Sequence, residues 1–331
     1  MANGSDLTSQ VPPPSPVPLL FLVGTTASGK TQLSLDLAEA LGAEILALDS
    51  MTVYRGLDIG TAKPGPKERE RVPHHLIDLC EPTERFSVHA YLTAAEGVLA
   101  DCARRSVRGL FVGGTALYLR ALTQGLLSQS RFDPTLREEL TKRAEQAGPA
   151  ELHGELARVD PASAERIHPN DAKRIIRGLE HFAVTGTPLS MSQTQWHAGA
   201  AEDSGRPRRI IGLGPPRALL AVRIEARVRA MLAAGWVEEV RALADSGRLG
   251  PTAMAALGTP QILEHLAGRL SAEELVERIS GRTRRFVRHQ QTWLRRFPEI
   301  EWVPESIWEL PESKRANAQL AFARECWSDL F

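Results

Sequence analysis

A chain of 331 residues exceeds a single typical core, so one large domain plus an accessory unit is expected. Hydrophobic residues make up 43% and charged residues 24%, a balance that excludes wholesale disorder, a collagen-like fold and a membrane bundle. Lys and Arg number 40 and so do Asp and Glu, so any affinity for nucleic acid or a membrane surface has to come from a local patch.

In chain order, residues 1–17 are rich in Pro, Ser and Gly and read as a disordered leader. The first basic residue is Lys30, so this stretch lacks the positive region of a signal or transit peptide. Cys80, Cys102 and Cys326 are odd in number and scattered, which suits neither a disulfide framework nor a CxxC metal pair and points to a reducing compartment, the cytoplasm. The longest apolar run, Val17 to Val23, is far too short to span a bilayer. It supplies a first strand over Leu19–Val23, followed by a glycine-bounded loop and a helix with Leu33, Leu37 and Leu41 at i, i+4 and i+8. Gly42 sits where a helix C-terminal glycine belongs, and a second strand, Glu44 to Leu48, ends at Asp49.

A third strand, Gly109 to Val112, runs into Gly113-Gly114-Thr115 and a helix through Leu122. Charged, helix-like sequence over 131–205 then interrupts the alternation, with 199–207 as a linker back. A fourth strand is expected at Leu219–Ile224, before a long helix ending near Gly247. Strands alternating with helices argue for an α/β fold with a parallel sheet covered on both faces. The expected organisation is a core of 18–130 and 206–331 with a helical insertion at 131–205. Near the C-terminus, Ser271 and Glu274 have capping-box spacing. Leu275, Ile279, Phe286, Trp293 and Phe297 can share one helical face and read as core, and Trp302, Trp308 and Trp327 read as packing back on it.

Gly24-Thr25-Thr26-Ala27-Ser28-Gly29-Lys30-Thr31 matches GxxxxGK[ST] in full, between a strand and a helix. Glycines let the backbone curl so that several N–H groups meet phosphate oxygens, and the helix N-terminus adds its positive dipole end. Lys30 supplies a point charge, and the Thr31 hydroxyl can hold a Mg²⁺ shared with the phosphates. The motif does not by itself select among phosphate compounds.

Asp49 lies at the carboxyl end of a strand, which in a parallel sheet faces the ligand crevice. A carboxylate there holds Mg²⁺, accepts a proton from a nucleophile, or simply caps a turn; position alone does not choose. The glycine-spaced stretch 56–64 is either a substrate contact or a connector. His74 and His75 are adjacent, so their side chains diverge, against joint metal ligation. The N–H groups of Gly113-Gly114-Thr115 and the Thr115 hydroxyl can donate to a leaving-group oxygen, and Thr115 can equally cap the helix. Between Arg278 and Arg296 there are seven arginines and no acidic residue, which reads as a surface for a polyanion. Lys173-Arg174-Ile175-Ile176-Arg177 forms a second basic face inside the insertion. Two basic surfaces and a phosphate site suggest a large anionic partner.

Together these segments resemble the tRNA dimethylallyltransferases, also called tRNA isopentenyltransferases. The likeness rests on residues 24–31, 49–64 (DSMTVYRGLDIGTAKP), 72–78 (VPHHLID), 113–122 (GGTALYLRAL), 170–190 (NDAKRIIRGLEHFAVTGTPLS) and 288–297 (RHQQTWLRRF). The resemblance implies a P-loop NTPase-like fold whose loop binds a diphosphate, with Mg²⁺ as cofactor. It implies transfer of the dimethylallyl group of dimethylallyl diphosphate to N6 of the adenosine 3′ of the anticodon in tRNA. Gly24, Thr25, Thr26, Ala27, Ser28, Gly29, Lys30 and Thr31 would hold the diphosphate, and Arg223, on the strand entering the long helix, would add positive charge. Asp49 corresponds to the proton acceptor and Thr115 to the threonine beside the reacting centre. Contacts to tRNA fall on Asp49, Ser50, Met51, Thr52 and Thr115, on Arg137, Lys173, Arg174, Ile175, Ile176 and Arg177, and on Arg282, Arg285 and Arg288.

The chain departs from the family where an isoleucine-glycine-tyrosine-lysine-glutamate string becomes Leu257-Gly258-Thr259-Pro260-Gln261. It carries no C-terminal zinc-finger pattern, in line with a bacterial-type enzyme, taken as a monomer without a membrane partner. A prenyltransferase for free adenine nucleotides would share the loop, Asp49 and Thr115 but would not need the insertion or two basic faces. A small-molecule kinase would use the loop for ATP, and a nucleotide-switch or RNA-binding module would give no covalent product.

Overall fold

The computed structural model describes residues 18–125, 134–191 and 207–330; the leader at 1–17 and all but the last residue of the linker at 199–207 lie outside the described residues. Six strands form one parallel sheet in the order β3-β2-β4-β1-β5-β6. They are β1 (Leu19–Gly24), β2 (Ala43–Leu48), β3 (His74–His75), β4 (Arg108–Gly113), β5 (Arg208–Leu213) and β6 (Ile300–Trp302). All six residues of β1 are buried, as its unbroken apolar run requires when helices cover both faces of a sheet. Leu20 and Leu22 join the cluster of helix α1 (Lys30–Leu41), while Phe21 points to the other face and stacks on Phe111 at 5.0 Å between ring centroids. Trp308 and Trp327 complete the α1 side, both buried, and Trp302 is half-buried.

The helices of this sheet unit are α1, α2 (Pro66–Arg71), α3 (Val88–Arg104) and α4 (Ala116–Gln124). After an all-helical stretch, α5 (Pro134–Ala147), α6 (Pro149–Val159), α7 (Pro161–Arg166) and α8 (Ala172–Thr185), the chain returns through β5. It continues with α9 (Arg217–Ala233), α10 (Trp236–Asp245), α11 (Pro251–Met254), α12 (Thr259–Leu266), α13 (Ala272–Leu294), α14 (Glu305–Glu309) and α15 (Glu312–Cys326). By its internal contacts the chain divides into two compact units, Met1–Leu119 with Gly205–Phe331, and Arg120–Ser204. The division falls within α4, because the helix that starts after Thr115 runs on through Gln124. Leu140, Leu152, Leu156, Ile175, Ile176 and Leu179 form the core of the helical unit. Among the described residues, no helix is long and apolar enough to cross a membrane.

Two sequence expectations are corrected. Leu219–Ile224 is helical, and the fourth strand is Arg208–Leu213. The periodicity explains it: Leu220, Ile224 and Val228 are the buried positions, at i, i+4 and i+8, just after Pro215-Pro216. In α13, Ser271 and Glu274 do form the capping box, but Phe286 and Trp293 lie outside the core, 44% and 40% exposed. The buried face takes Thr283 and Gln290 instead, each with hydrogen-bond partners that hydropathy alone does not reveal.

His74 and His75 diverge as adjacent strand residues must: His74 Nδ1 lies 2.7 Å from the Val72 carbonyl and His75 Nε2 lies 2.7 Å from Glu44. Glu44, His75 and Cys102 cluster, yet both Glu44 oxygens receive the Arg105 guanidinium at 2.6 and 2.7 Å, and that hydrogen bonding leads in holding the Glu44 carboxyl down to about 2. The cluster thereby has its own cation.

The departing 257–261 string has a packing role. The Trp236 indole lies between Gly60 and Gly258, close enough that a Cβ at either glycine would fall inside contact distance of the ring. Gly258 also holds φ of +92°, outside the range of ordinary L-residues. Gly258→Ala is expected to destabilise the protein by about 1–3 kcal/mol through overpacking and strain, read as a lower urea midpoint at unchanged m-value; an unchanged midpoint would refute this packing.

Candidate active site

The phosphate loop leaves β1 at Gly24 and enters α1 at Lys30, with Ala27 and Gly29 at φ of +64° and +96°. A Ser28 N–H to Thr25 carbonyl bond (3.2 Å) closes the curl. β1 lies between β4 and β5, so the loop opens at the point where the chain order reverses, the usual ligand position in such sheets. Lys30 Nζ donates to the Gly24 and Thr25 carbonyls at 2.9 and 2.7 Å. Burial, reinforced by the Arg227 charge and partly offset by Asp49, pulls its ammonium down from the ordinary lysine value to about 7. Arg223 reaches the loop with Nη1 3.4 Å from the Ser28 carbonyl, from helix α9 and not from a strand.

Asp49 and Thr115 follow β2 and β4, which are hydrogen-bonded neighbours. The Leu48 carbonyl accepts both the Gly114 and Thr115 N–H groups at 3.2 Å, and the Thr115 hydroxyl accepts the Ser50 N–H at 3.2 Å. Asp49 Oδ1 accepts the Met51 N–H at 2.7 Å, the turn-capping role, while Oδ2 accepts no hydrogen bond among the described residues. The capping role and a free carboxylate oxygen thus coexist. Tyr91 and Tyr118 stack beneath, ring centroids 3.9 Å apart, with the Tyr91 hydroxyl on the Ala47 carbonyl at 2.9 Å. Burial first, then the charge of neighbouring groups including Asp49, pushes both phenols up, so they stay neutral.

The structure therefore gathers Lys30, Asp49, Thr115 and Arg223 around the phosphate loop. The basic residues at 173–177 belong to the helical unit: Lys173 and Arg174 are exposed, whereas Ile175 and Ile176 are buried in its core and offer no surface to RNA. Arg137 and Arg177 both face the buried carboxylate of Glu180, at 4.0 and 3.3 Å. On α13, Arg282, Arg285 and Arg288 are exposed and make no ion pair among the described residues, and Arg296 stacks over the Trp293 ring at 4.7 Å.

Sequence reasoning missed four side chains here. Arg227, one turn beyond Arg223 on α9, carries a cation that burial disfavours and Asp49 supports; the four-residue spacing from Arg223 was the available signal. Glu239 of α10 accepts three consecutive N–H groups, Asp58, Ile59 and Gly60, at 2.7–3.0 Å. Lys63 is buried on Asp58, Asp78 and the Tyr54 carbonyl at 2.6–2.7 Å, which braces the 56–64 stretch. Gln290 joins two of the site's loops. No local pattern marks these last three.

A phosphate-loop α/β protein with a carboxylate and a hydroxyl on the neighbouring strand ends is the class this geometry defines. Comparison with known proteins gives the family. The profile described as IPP transferase matches residues 52–297, and that described as isopentenyl transferase matches 17–78. A tRNA dimethylallyltransferase of Geobacter metallireducens is 47% identical over 288 residues, 86% of this chain and 92% of its own. The full-length tRNA isopentenylpyrophosphate transferase of Bacillus halodurans shares the fold at a TM-score of 0.66 and 33% identity, over 95% of this chain and 97% of that one. A eukaryotic dimethylallyltransferase acting on tRNA gives 0.75 at 27% identity, over 95% of this chain and 80% of that one. The chain belongs to the IPP transferase family.

The low Lys30 value has a consequence for pH. The ligand-free ammonium loses its proton as pH rises through about 7, and a phosphate group bound in the loop would gain from its charge. Affinity for inorganic diphosphate is expected to fall between pH 7 and 9, by up to about tenfold per unit, although diphosphate itself gains negative charge there. A calorimetric titration that shows constant or rising affinity would remove Lys30 from the binding set.

Proposed function

We propose that this protein transfers the dimethylallyl group of dimethylallyl diphosphate to N6 of the adenosine 3′ of the anticodon in tRNA, with release of diphosphate. The observation that carries this reading is the meeting of the phosphate loop with the Asp49 and Thr115 turns, in a chain so similar to proteins named for that transfer. Lys30, Arg223 and Arg227 supply positive charge, and the loop N–H groups and α1 N-terminus supply donors, for a departing diphosphate. The adenine amine is a weak nucleophile because its lone pair is delocalised into the ring, so departure of the diphosphate has to make the allylic carbon strongly electrophilic. The bond from that carbon to the diphosphate oxygen breaks, the bond from N6 forms, and the N6 proton passes to Asp49. Met51 N–H holds one oxygen of that carboxylate and leaves Oδ2 to take the proton.

The donor set suits Mg²⁺, which takes few protein oxygens and prefers to share phosphates. Thr31 is exposed at the start of α1 and its hydroxyl makes no hydrogen bond among the described residues. Bound there with the diphosphate, the ion would neutralise charge on the leaving group. Reaction at N6 also requires the base to leave its stack. Arg282, Arg285 and Arg288, with Phe286 and Trp293 exposed beside them, offer phosphate contacts and stacking surfaces for RNA on α13, and Lys173 and Arg174 offer a basic face in the helical unit.

Incubation with unmodified tRNA, Mg²⁺ and dimethylallyl diphosphate is expected to yield an adenosine heavier by one dimethylallyl unit in nucleoside mass spectrometry. Prenylated AMP or ADP with no product in tRNA would move the chain to free-nucleotide chemistry. Asp49→Asn, which keeps an acceptor for Met51 N–H, should fold and bind diphosphate normally yet lose about 10²–10⁴-fold in rate; near-normal turnover would return Asp49 to a purely structural role. Replacing Arg285 and Arg288 by Gln should lower the slope of log affinity for tRNA against log salt by about two. An unchanged slope would take RNA off this helix.

A further inference from the structure

Gln290 is the side chain of α13 that reaches both halves of the site. It is 8% exposed, and its amide makes two hydrogen bonds across large separations in sequence. Oε1 accepts the N–H of Thr26, in the middle of the phosphate loop, at 2.9 Å. Nε2 donates to the carbonyl of Gly114, in the turn that carries Thr115, at 3.2 Å. A neutral amide of this length provides an acceptor and a donor at one side-chain end; a carboxylate lacks the donor, and leucine lacks both.

The residues it bridges have no slack. A Cβ at Gly114 would sit 2.5 Å from Gln290 Nε2 and 2.7 Å from the Gly24 carbonyl, so the amide, the first residue of the loop and the Thr115 turn are in direct contact. Beyond Gly114, the Thr115 hydroxyl accepts the Ser50 N–H, and Ser50 adjoins Asp49. The Leu48 carbonyl meanwhile holds Gly114 and Thr115 against the end of β2. One unbroken chain of contacts thus runs from Thr26 through Gln290, Gly114 and Thr115 to the turn that opens with Asp49. On the other side, Gln290 takes up the Thr26 N–H, while Gly29, Lys30 and Thr31 at the start of α1 keep their N–H groups for phosphate.

We propose that Gln290 is the positioning residue that sets the spacing between the phosphate loop and the Asp49 and Thr115 turns. This role rests on the prenyl-transfer reading above, because that reaction needs the leaving diphosphate and the proton acceptor on opposite sides of one carbon–nitrogen bond. A misplacement of about 1 Å between such groups is enough to cost on the order of a hundredfold in rate while each group still binds its own ligand. Gln290 acts through the two loops that it hydrogen-bonds.

The test uses the full-length protein with Gln290→Leu and Gln290→Glu. For Leu, the maximal rate of transfer to tRNA is expected to fall by about 10–100-fold. Dissociation constants for inorganic diphosphate and for tRNA, measured separately by calorimetry and filter binding, should move less than about threefold. For Glu, the carboxylate keeps the acceptor for Thr26 but opposes the Gly114 carbonyl at neutral pH; protonation restores the missing donor. Its rate relative to the unsubstituted protein should therefore rise as pH is lowered from 8 to 5.5, a signature that general destabilisation does not produce. This arm carries the test even if the Leu variant fails to fold. A normal rate for Leu, a loss of rate matched by an equal loss of diphosphate binding, or a flat pH ratio for Glu would overturn the role. Absence of transfer by the unsubstituted protein would overturn the underlying reaction instead, and it appears in a separate arm.

Discussion

The carbonyl of Leu48 is the point on which the site depends. It ends β2 and accepts two N–H groups from the Gly114-Thr115 turn that ends β4. Two strand ends can share one acceptor only if no side chain stands between them, and Gly113 and Gly114 meet that condition: a Cβ on Gly113 would collide with the Leu48 carbonyl, and one on Gly114 with the Gly24 carbonyl. With the turns locked in this way, Asp49, Thr115 and the phosphate loop become neighbours although 18 to 91 residues separate them in the chain.

Around this junction the backbone is held by charged side chains more than by regular structure. Segment 50–63 contains no helix or strand of its own, and many of its polar groups are met by charged side chains and by residues 78–80. Glu239 accepts three consecutive N–H groups, Lys63 binds the Tyr54 carbonyl with Asp58 and Asp78, and the Thr52 and Val53 carbonyls accept N–H groups of 78–80. Charge-assisted hydrogen bonds of this kind are stronger than neutral ones, and they fix a loop that apolar packing alone would leave free. Gly60, Trp236 and Gly258 add the apolar half of the same clamp.

The electrostatics of the site are unbalanced in one direction. Lys30 and Arg227 are both disfavoured as cations by burial, and Asp49 offsets only part of that cost. Buried cations in this condition gain from an anion, which is the state that a diphosphate supplies. The same argument distinguishes these groups from Arg105 or Lys63, whose partners are already carboxylates within the fold.

Local pattern alone determined a good part of this protein. The GxxxxGK[ST] string between an apolar run and a leucine-spaced helix fixes a phosphate loop, because strand, curl and helix are each set by residues within a few positions of one another. The same holds for the Asp49 and Thr115 strand ends and for the capping box at Ser271. Where two periodicities compete within a short apolar stretch, as at 219–224, the sequence reads as a strand; the buried positions of α9 follow a helical repeat that only its packing partners select. Phe286 and Trp293 read as core for a related reason. Hydropathy ranks them above Thr283 and Gln290, yet a buried polar group is acceptable once it is hydrogen-bonded: Thr283 donates to the Ile279 carbonyl one turn back, and the partners of Gln290 come from distant parts of the chain. What tertiary structure decided is therefore the set of long-range polar contacts made by Gln290 and Glu239, since a hydrogen bond across a hundred or more residues leaves no periodic trace in the sequence that forms it.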